Sequence, residues 1–454
     1  MDTPIWDFLQ KYRQAGARRF HMPGHKGAGP LGCEAWDITE ISGADSLYEA
    51  SGVIAGSEGN AAALFGAGAT FYSTGGSSQC VKAMLHLALQ NRPAGTPPVI
   101  LAARNVHKSF VHAAALLDFT PVWLWPEGGT SSLCACPLTA EGLDRALGTM
   151  DAPPAAVYVT SPDYLGNTAD ISALGRVCRR RGVPLLVDGA HGAYLRFLGP
   201  SRHPLDLGAD LCCDSAHKTL PVLTGGAYLH VSKSAPAAFR AGARAALALF
   251  GSTSPSYLVL ASLDRCNAEL AGGYSLRLAE RVRELEALRA GLEDNGWAVC
   301  PSDPLRLTLD AAASGLTGTA LAELLRKGGV ECEYADRAYT VLMATPDNAP
   351  EDLARVLAVL GVNRRPPLAA AVLPPARGER VMSLRQALLA PQETVPAEES
   401  LGRICGAPTV SCPPAIPIAV SGERIGAQAL ALFRYCGVER VDVVKERGAL
   451  LEEG

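Results

Sequence analysis

Residues Ile171–Gly192 read ISALGRVCRRRGVPLLVDGAHG. The first half, Ile171–Arg181, is helix-like; Val183–Val187 is a short apolar run, and that run ends on a carboxylate, Asp188. Comparable apolar runs stand at Pro98–Ala102 (PVILA), Ala155–Thr160 (AAVYVT), Asp210–Cys213 (DLCC) and Ala227–Val231 (AYLHV). Short apolar runs with helices between them belong to strands buried on both faces, the pattern of a largely parallel sheet. A Gly-rich turn at Gly75 opens on a further helix candidate, Ser78–Gln90. The expected fold is therefore a doubly wound α/β domain with helices on both faces of the sheet.

Composition narrows the function classes. The chain has 454 residues, 48% hydrophobic and 19% charged, enough for two or three globular domains. The formal net charge is −4 and no basic block stands out, so no nucleic-acid partner is expected. No uncharged apolar run approaches the ~20 residues that cross a bilayer. The opening MDTPIWDFLQKYRQAGARRF lacks a signal-peptide pattern and fits a short amphipathic helix, so a cytoplasmic location without membrane contact is expected. Thirteen cysteines are scattered without C-x-x-C pairs, and neither Cys134 with Cys136 nor Cys212 with Cys213 has a zinc spacing. They read as reduced, buried packing residues, with no metal site.

Further along, Ser275–Asn295 places Leu278, Val282, Leu285, Leu288 and Leu292 at helical spacing, with Gly296 as a stop and its charges read as a solvated face. Leu305–Asp310 (LRLTLD) alternates like a half-exposed strand; a helix-like stretch at Thr319–Lys327 and a strand candidate at Thr340–Ala344 complete a smaller α+β domain. Asn363–Arg380 is rich in Pro, Ala and Arg and reads as a linker, followed by a final unit that carries Pro413, Pro414 and Pro417. The expected organisation is an arm and helix over 1–60, a large domain over 61–296, a small domain over 297–362, and a linker with a C-terminal domain over 363–454.

Open α/β sheets bind ligands at the carboxyl ends of their strands, and four polar features are candidates for that position. Ser73–Gln79 (STGGSSQ) precedes a helix; its free N–H groups at Gly76 and the hydroxyls of Ser77 and Ser78 suit a phosphate, or the segment is an ordinary capped turn. Arg104–Ser109 (RNVHKS) offers His107 for stacking on a flat heterocycle, or as a structural histidine. Asp188 at a buried strand end needs a partner: a protonated pyridine nitrogen, a helix cap, or a metal shared with His191. Asp214–Lys218 (DSAHK) ends with Lys218, either a surface cation or an amine whose surroundings make it nucleophilic. In combination they supply what pyridoxal phosphate requires: donors for the phosphate, a stacking face, an acid for the ring nitrogen and a lysine for the aldehyde.

The chain resembles the Orn/Lys/Arg decarboxylase family in its short form. The resemblance begins at Arg19–Gly27 (RFHMPGHKG), continues through Asp37–Ala67, STGGSS, RNVHKS, VDGAHG and SAHKTLPVLTGG, and reaches Glu333–Asp336 (EYAD), Glu399–Cys405 (ESLGRIC), Pro413–Pro417 (PPAIP) and Gly422–Ile425 (GERI). It implies a fold-type-I pyridoxal-phosphate enzyme, of the aspartate-aminotransferase type, with a mostly parallel seven-stranded sheet and a smaller α+β C-terminal domain. It implies Lys218 as the Schiff-base lysine, His107 as the ring-stacking histidine and Asp188 as the partner of the ring nitrogen. Gly76, Ser77, Ser78, Ser215 and His217 would surround the phosphate and lysine, Ala190 would support the other ring face, and His191 would lie near the cofactor. Glu333 and Asp336 are candidates for the far cation of a basic substrate, or else a surface cap or salt bridge. The sequence departs from the family pattern at Gly189 and Tyr194, at Gly225–Ala227 and at Ala415.

The implied reaction is decarboxylation of arginine, lysine or ornithine to agmatine, cadaverine or putrescine and carbon dioxide. The PGHKG segment would reach over a neighbouring subunit's site in a homodimer. Transamination, or a catalytically silent relative that binds the cofactor, is the alternative.

Overall fold

The computed structural model describes residues 1–127, 130, 132–369, 373–411 and 415–446. Pro413, Pro414 and residues 370–372 of the expected linker lie outside the described residues. Seven strands form the large sheet: β1 (Ala69–Ser73), β2 (Val99–Ala103), β3 (Thr120–Leu124), β4 (Ala156–Thr160), β5 (Leu185–Asp188), β6 (Leu211–Asp214) and β7 (Ala227–Val231). Their spatial order is β1-β7-β6-β5-β4-β2-β3. Every pairing is parallel except the two made by β7. The carboxyl ends of the other six strands therefore open on one side of the molecule.

The apolar runs become strands because each has helices on both sides. Along β5, Leu186 joins the cluster of Phe110, Tyr158 and Cys213, whereas Leu185 and Val187 join Leu143, Leu174 and Val177 on the other face. Successive side chains in a strand point to opposite faces, so Asp188 follows Leu186 toward Tyr158 and Cys213. The helix Ile171–Arg181 starts at Asp170, whose side chain accepts from the Ala173 N–H, and ends at Gly182 in the left-handed conformation, so the chain turns directly into β5. The two strands absent from the sequence reading, β1 and β3, are the sheet edges. β3 contains Pro121 and an exposed Val122, and proline in a sheet is confined largely to edges, where no ladder hydrogen bond is lost.

The long helix runs Tyr274–Asp294 and leads into a four-stranded sheet of β8 (Val299–Cys300), β9 (Arg306–Asp310), β10 (Tyr334–Ala335) and β11 (Tyr339–Met343), in the order β10-β11-β9-β8. Here two expectations are corrected. β9 is not half-exposed: Arg306 and Thr308, its polar positions, are buried, Arg306 against Asp303 and Thr308 through its hydroxyl to the Leu165 carbonyl at 2.7 Å. The charged face of the long helix is not wholly solvated either, because Arg281 is buried and donates to the Asn348 carbonyl. In both cases a neighbouring segment supplies polar partners, which lets the charged residue go inside. The remainder, from Glu379 to Val444, contains three two-stranded ladders and the helix Ala427–Cys436, around a small core that includes Ile418, Phe433 and Val443.

Candidate active site

At the carboxyl ends of the strands lies a cavity of about 330 Å³. Its lining includes Gly76, Ser77 and Ser78 after β1, His107 after β2, Asp188, Ala190 and His191 after β5, and Ser215, His217 and Lys218 after β6. Ten candidates from four loops of sequence thus share one space. Glu333 and Asp336 are not in the lining. Glu333 stands behind it: the hydroxyl of Tyr164, which does line the cavity, donates to Glu333 Oε1 at 2.7 Å. Asp336 is occupied elsewhere, accepting the N–H groups of Ala338 and Tyr339 at 2.7 Å each and the Tyr334 hydroxyl at 2.6 Å. It lines a neighbouring cleft between β10 and the C-terminal helix.

Lys218 is reached by a sharp exit from β6 into a single helical turn, Ala216–Thr219. Its Nζ lies 2.9 Å from His191 Nε2. Burial pushes the Lys218 amine below its ordinary pKa and Arg306 adds to this, while Asp188 and Glu333 pull the other way. Burial likewise holds His191 well below the usual imidazole range, with Lys218 as the next cause. Both shifts run toward the uncharged form, and it is the uncharged form of a lysine that is the nucleophile.

His107 ends the loop after β2 and caps the helix Lys108–Leu117: the Ser109 N–H donates to Nδ1 at 3.2 Å. This assigns the ring proton to Nε2. Burial brings the His107 pKa down to about 4, so the ring is neutral near pH 7. Asp188 is buried and accepts from the Tyr158 hydroxyl at 3.0 Å and the Ala190 N–H at 3.2 Å.

The glycine turn after β1 opens the 15-residue helix Gly76–Gln90. The Ser215 hydroxyl donates to Ser77 Oγ at 2.7 Å, which joins the β1 and β6 loops. Gly225 explains part of the small-residue stretch after Lys218. Its φ is +98°, its carbonyl accepts the Gly76 N–H at 2.8 Å, and a Cβ there would lie 3.1 Å from the Thr74 carbonyl oxygen. The Gly226 carbonyl takes both the backbone N–H and Nδ1–H of His217, at 3.2 and 3.0 Å. The two glycines therefore lock the phosphate-type turn to the lysine turn. Of the other departures, Tyr194 turns away from the cavity to Asp303 Oδ1 and the Leu305 N–H, tying the large domain to β9. Gly189 packs where a Cβ would meet Asp214 Oδ1 at 2.7 Å and Cys212 Sγ at 2.9 Å. Ala415 lines the cavity and its carbonyl accepts the Lys108 N–H at 2.9 Å, which brings the C-terminal segment beside His107.

Sequence reasoning missed Asn105, Thr160, Asp163, Tyr164 and Ile416, all in the lining. The first four also follow strand ends, and that position was the available signal. Ile416 arrives from the C-terminal unit and had none. Asn105 Oδ1, Thr160 Oγ1 and His191 Nδ1 are buried there without a protein partner, as expected of atoms that serve a ligand.

Residues 3–312 match the family model for Orn/Lys/Arg decarboxylase, major domain. This chain belongs to the Orn/Lys/Arg decarboxylase family. An arginine decarboxylase of Halalkalibacterium halodurans is 31% identical over 95% of this chain and 93% of its own length. An arginine decarboxylase of Bacillus subtilis is 30% identical over 93% and 91%. Among solved structures, the constitutive lysine decarboxylase of Escherichia coli superposes with a TM-score of 0.77 over 98% of this chain and 82% of that one, at 19% identity. A Francisella novicida lysine decarboxylase gives the same score over 98% and 81%, at 17% identity. Family membership accounts for the mostly parallel sheet and the strand-end cavity as parts of one decarboxylase scaffold.

Proposed function

We propose that the chain is a pyridoxal-phosphate-dependent decarboxylase of L-arginine, forming agmatine and carbon dioxide. The observation that carries this reading is the pairing of Lys218 with Asp188 across one cavity, from adjacent strands β6 and β5. The donor set fits the cofactor. Ser77, Ser78, Ser215 and the N–H groups at the start of the helix Gly76–Gln90 would hold the phosphate, the neutral His107 ring would cover one face of the pyridine with Ala190 on the other, and Asp188 would pair with the ring nitrogen. Asn105, Thr160 and His191 offer polar atoms that await partners. When bound, the cofactor supplies the electron sink that permits loss of a carboxylate.

The protein's part is positioning and proton control. Lys218, whose amine is lowered in pKa by burial, would hold the cofactor through its aldehyde and would carry protons at Nζ when free of it. His191, 2.9 Å away, accepts or returns a proton at Nε2. Glu333, held by Tyr164, would meet the guanidinium at the far end of the substrate. Arginine is favoured over lysine and ornithine because four relatives of matching length are named arginine decarboxylases, whereas the lysine decarboxylase of Pseudomonas aeruginosa is 26% identical over 56% of this chain and 36% of its own length. A homodimer in the cytoplasm belongs to the same reading: Phe20, Met22 and Leu31 on the N-terminal arm are exposed apolar residues that a second copy would cover.

The test is to incubate purified protein and cofactor with each of the three amino acids and weigh the products. Agmatine is expected, and K218A should lose both the product and the long-wavelength absorbance of lysine-bound pyridoxal. Cadaverine or putrescine alone would overturn the substrate assignment; three unchanged substrates would overturn decarboxylation, and a keto acid would point to transamination.

A further inference from the structure

We infer that Tyr158 is a positioning residue that sets the carboxylate of Asp188 and the helix carrying His107 against a common support; this rests on the cofactor reading above. Tyr158 lies on β4 and is fully buried. Its neighbour in register across β5 is Leu186, two residues before Asp188 and on the same face. From there its hydroxyl reaches Asp188 Oδ2 at 3.0 Å. The other oxygen, Oδ1, takes the Ala190 N–H at 3.2 Å and lies 3.7 Å from Cys213 Sγ. The carboxylate thus has donors on both oxygens, which restricts its rotation about the Cβ–Cγ bond and presents its remaining lone pairs in one direction.

The ring of Tyr158 does separate work. It packs on Phe110 with centroids 4.8 Å apart. Phe110 sits in the first turn of the helix Lys108–Leu117, and its N–H bonds to the His107 carbonyl at 2.9 Å. One side chain therefore touches the group proposed for the ring nitrogen through its hydroxyl, and the element bearing the proposed stacking ring through its face. Tyr158 itself is absent from the cavity lining, so its influence passes through these two neighbours. Burial and the adjacent Asp188 push the Tyr158 pKa well above the usual phenol range, so the hydroxyl is a donor at neutral pH.

Pyridoxal phosphate binding to the apo-protein distinguishes this from a packing role. It is measured by titration of the lysine-bound absorbance in wild type, Y158F, D188N and the double variant. Y158F is expected to weaken binding about 10-fold, as for a lost hydrogen bond to a charged group. In the D188N background the same change is expected to matter less than about twofold, because interacting residues are non-additive. Equal weakening in both backgrounds, or none in wild type, overturns the inference. A fluorinated tyrosine at 158 keeps the ring and is a stronger donor, so it is expected to bind the cofactor at least as tightly as wild type; a loss matching that of Y158F also overturns it. If wild type itself binds no cofactor, the proposed function fails instead, which is a separate result from Y158F behaving as wild type.

Discussion

Lys218 shows why a residue's chemistry depends on its surroundings. Its sequence context admits a surface cation, yet burial, with Arg306 adding to it, disfavours the charged form. His107 has a measurable consequence. Its pKa is about 4 when folded, below the ordinary 6.5, so the unfolded chain binds the proton first as pH falls. Its contribution is full above pH 6.5 and is lost as pH falls toward 4. Urea unfolding of the apo-protein should therefore show wild type losing about 2 kcal/mol relative to H107F between pH 7 and pH 5. Glu333 predicts a different signature. E333Q should raise KM for arginine about 10-fold or more, as expected for a lost charge-assisted contact, while the absorbance of the bound cofactor stays unchanged. An unaltered KM would remove Glu333 from substrate recognition.

The capped helices are the elements that place these side chains. Asp45, in the stretch before the helix Val53–Phe65, accepts N–H groups from Ser46, Ser51, Gly52 and Ile54 at 2.8 to 3.0 Å. Burial opposes ionisation there, but these donors outweigh it and the carboxyl titrates below its usual range. D45A should cost about 1–2 kcal/mol of stability in denaturant unfolding, as other lost caps do, with D45N recovering part of it. The helix Gly76–Gln90 and the Lys218 turn are joined through Ser215 and Ser77. S77A should consequently weaken cofactor affinity by about 10-fold without changing the substrate preferred. The apolar runs made the central strands legible; β1 and β3 escaped because edge strands carry weaker hydrophobic patterning.

At the level of the molecule, the cavity draws on the large domain and on the C-terminal segment through Ala415 and Ile416. The small domain contributes from behind, through Glu333. The exposed apolar residues of the arm predict self-association: light scattering should give twice the chain mass, and F20D should shift the protein toward monomer.

Family, sheet and the residues that share the cavity were legible in the sequence because each rests on local signals: apolar runs, glycine turns, and a carboxylate or lysine placed at a strand end. Asp188, His107 and Lys218 could be named from such signals alone. The sequence could not separate Glu333 from Asp336, since both stand in EYAD. Only the folded chain shows Asp336 spending its oxygens on Ala338, Tyr339 and Tyr334 while Glu333 meets Tyr164. Nor could it place Arg306 in the interior or bring Tyr158 to Asp188. Those outcomes depend on which buried donor meets which acceptor across the sheet, a choice made by strand order and register rather than by neighbours along the chain.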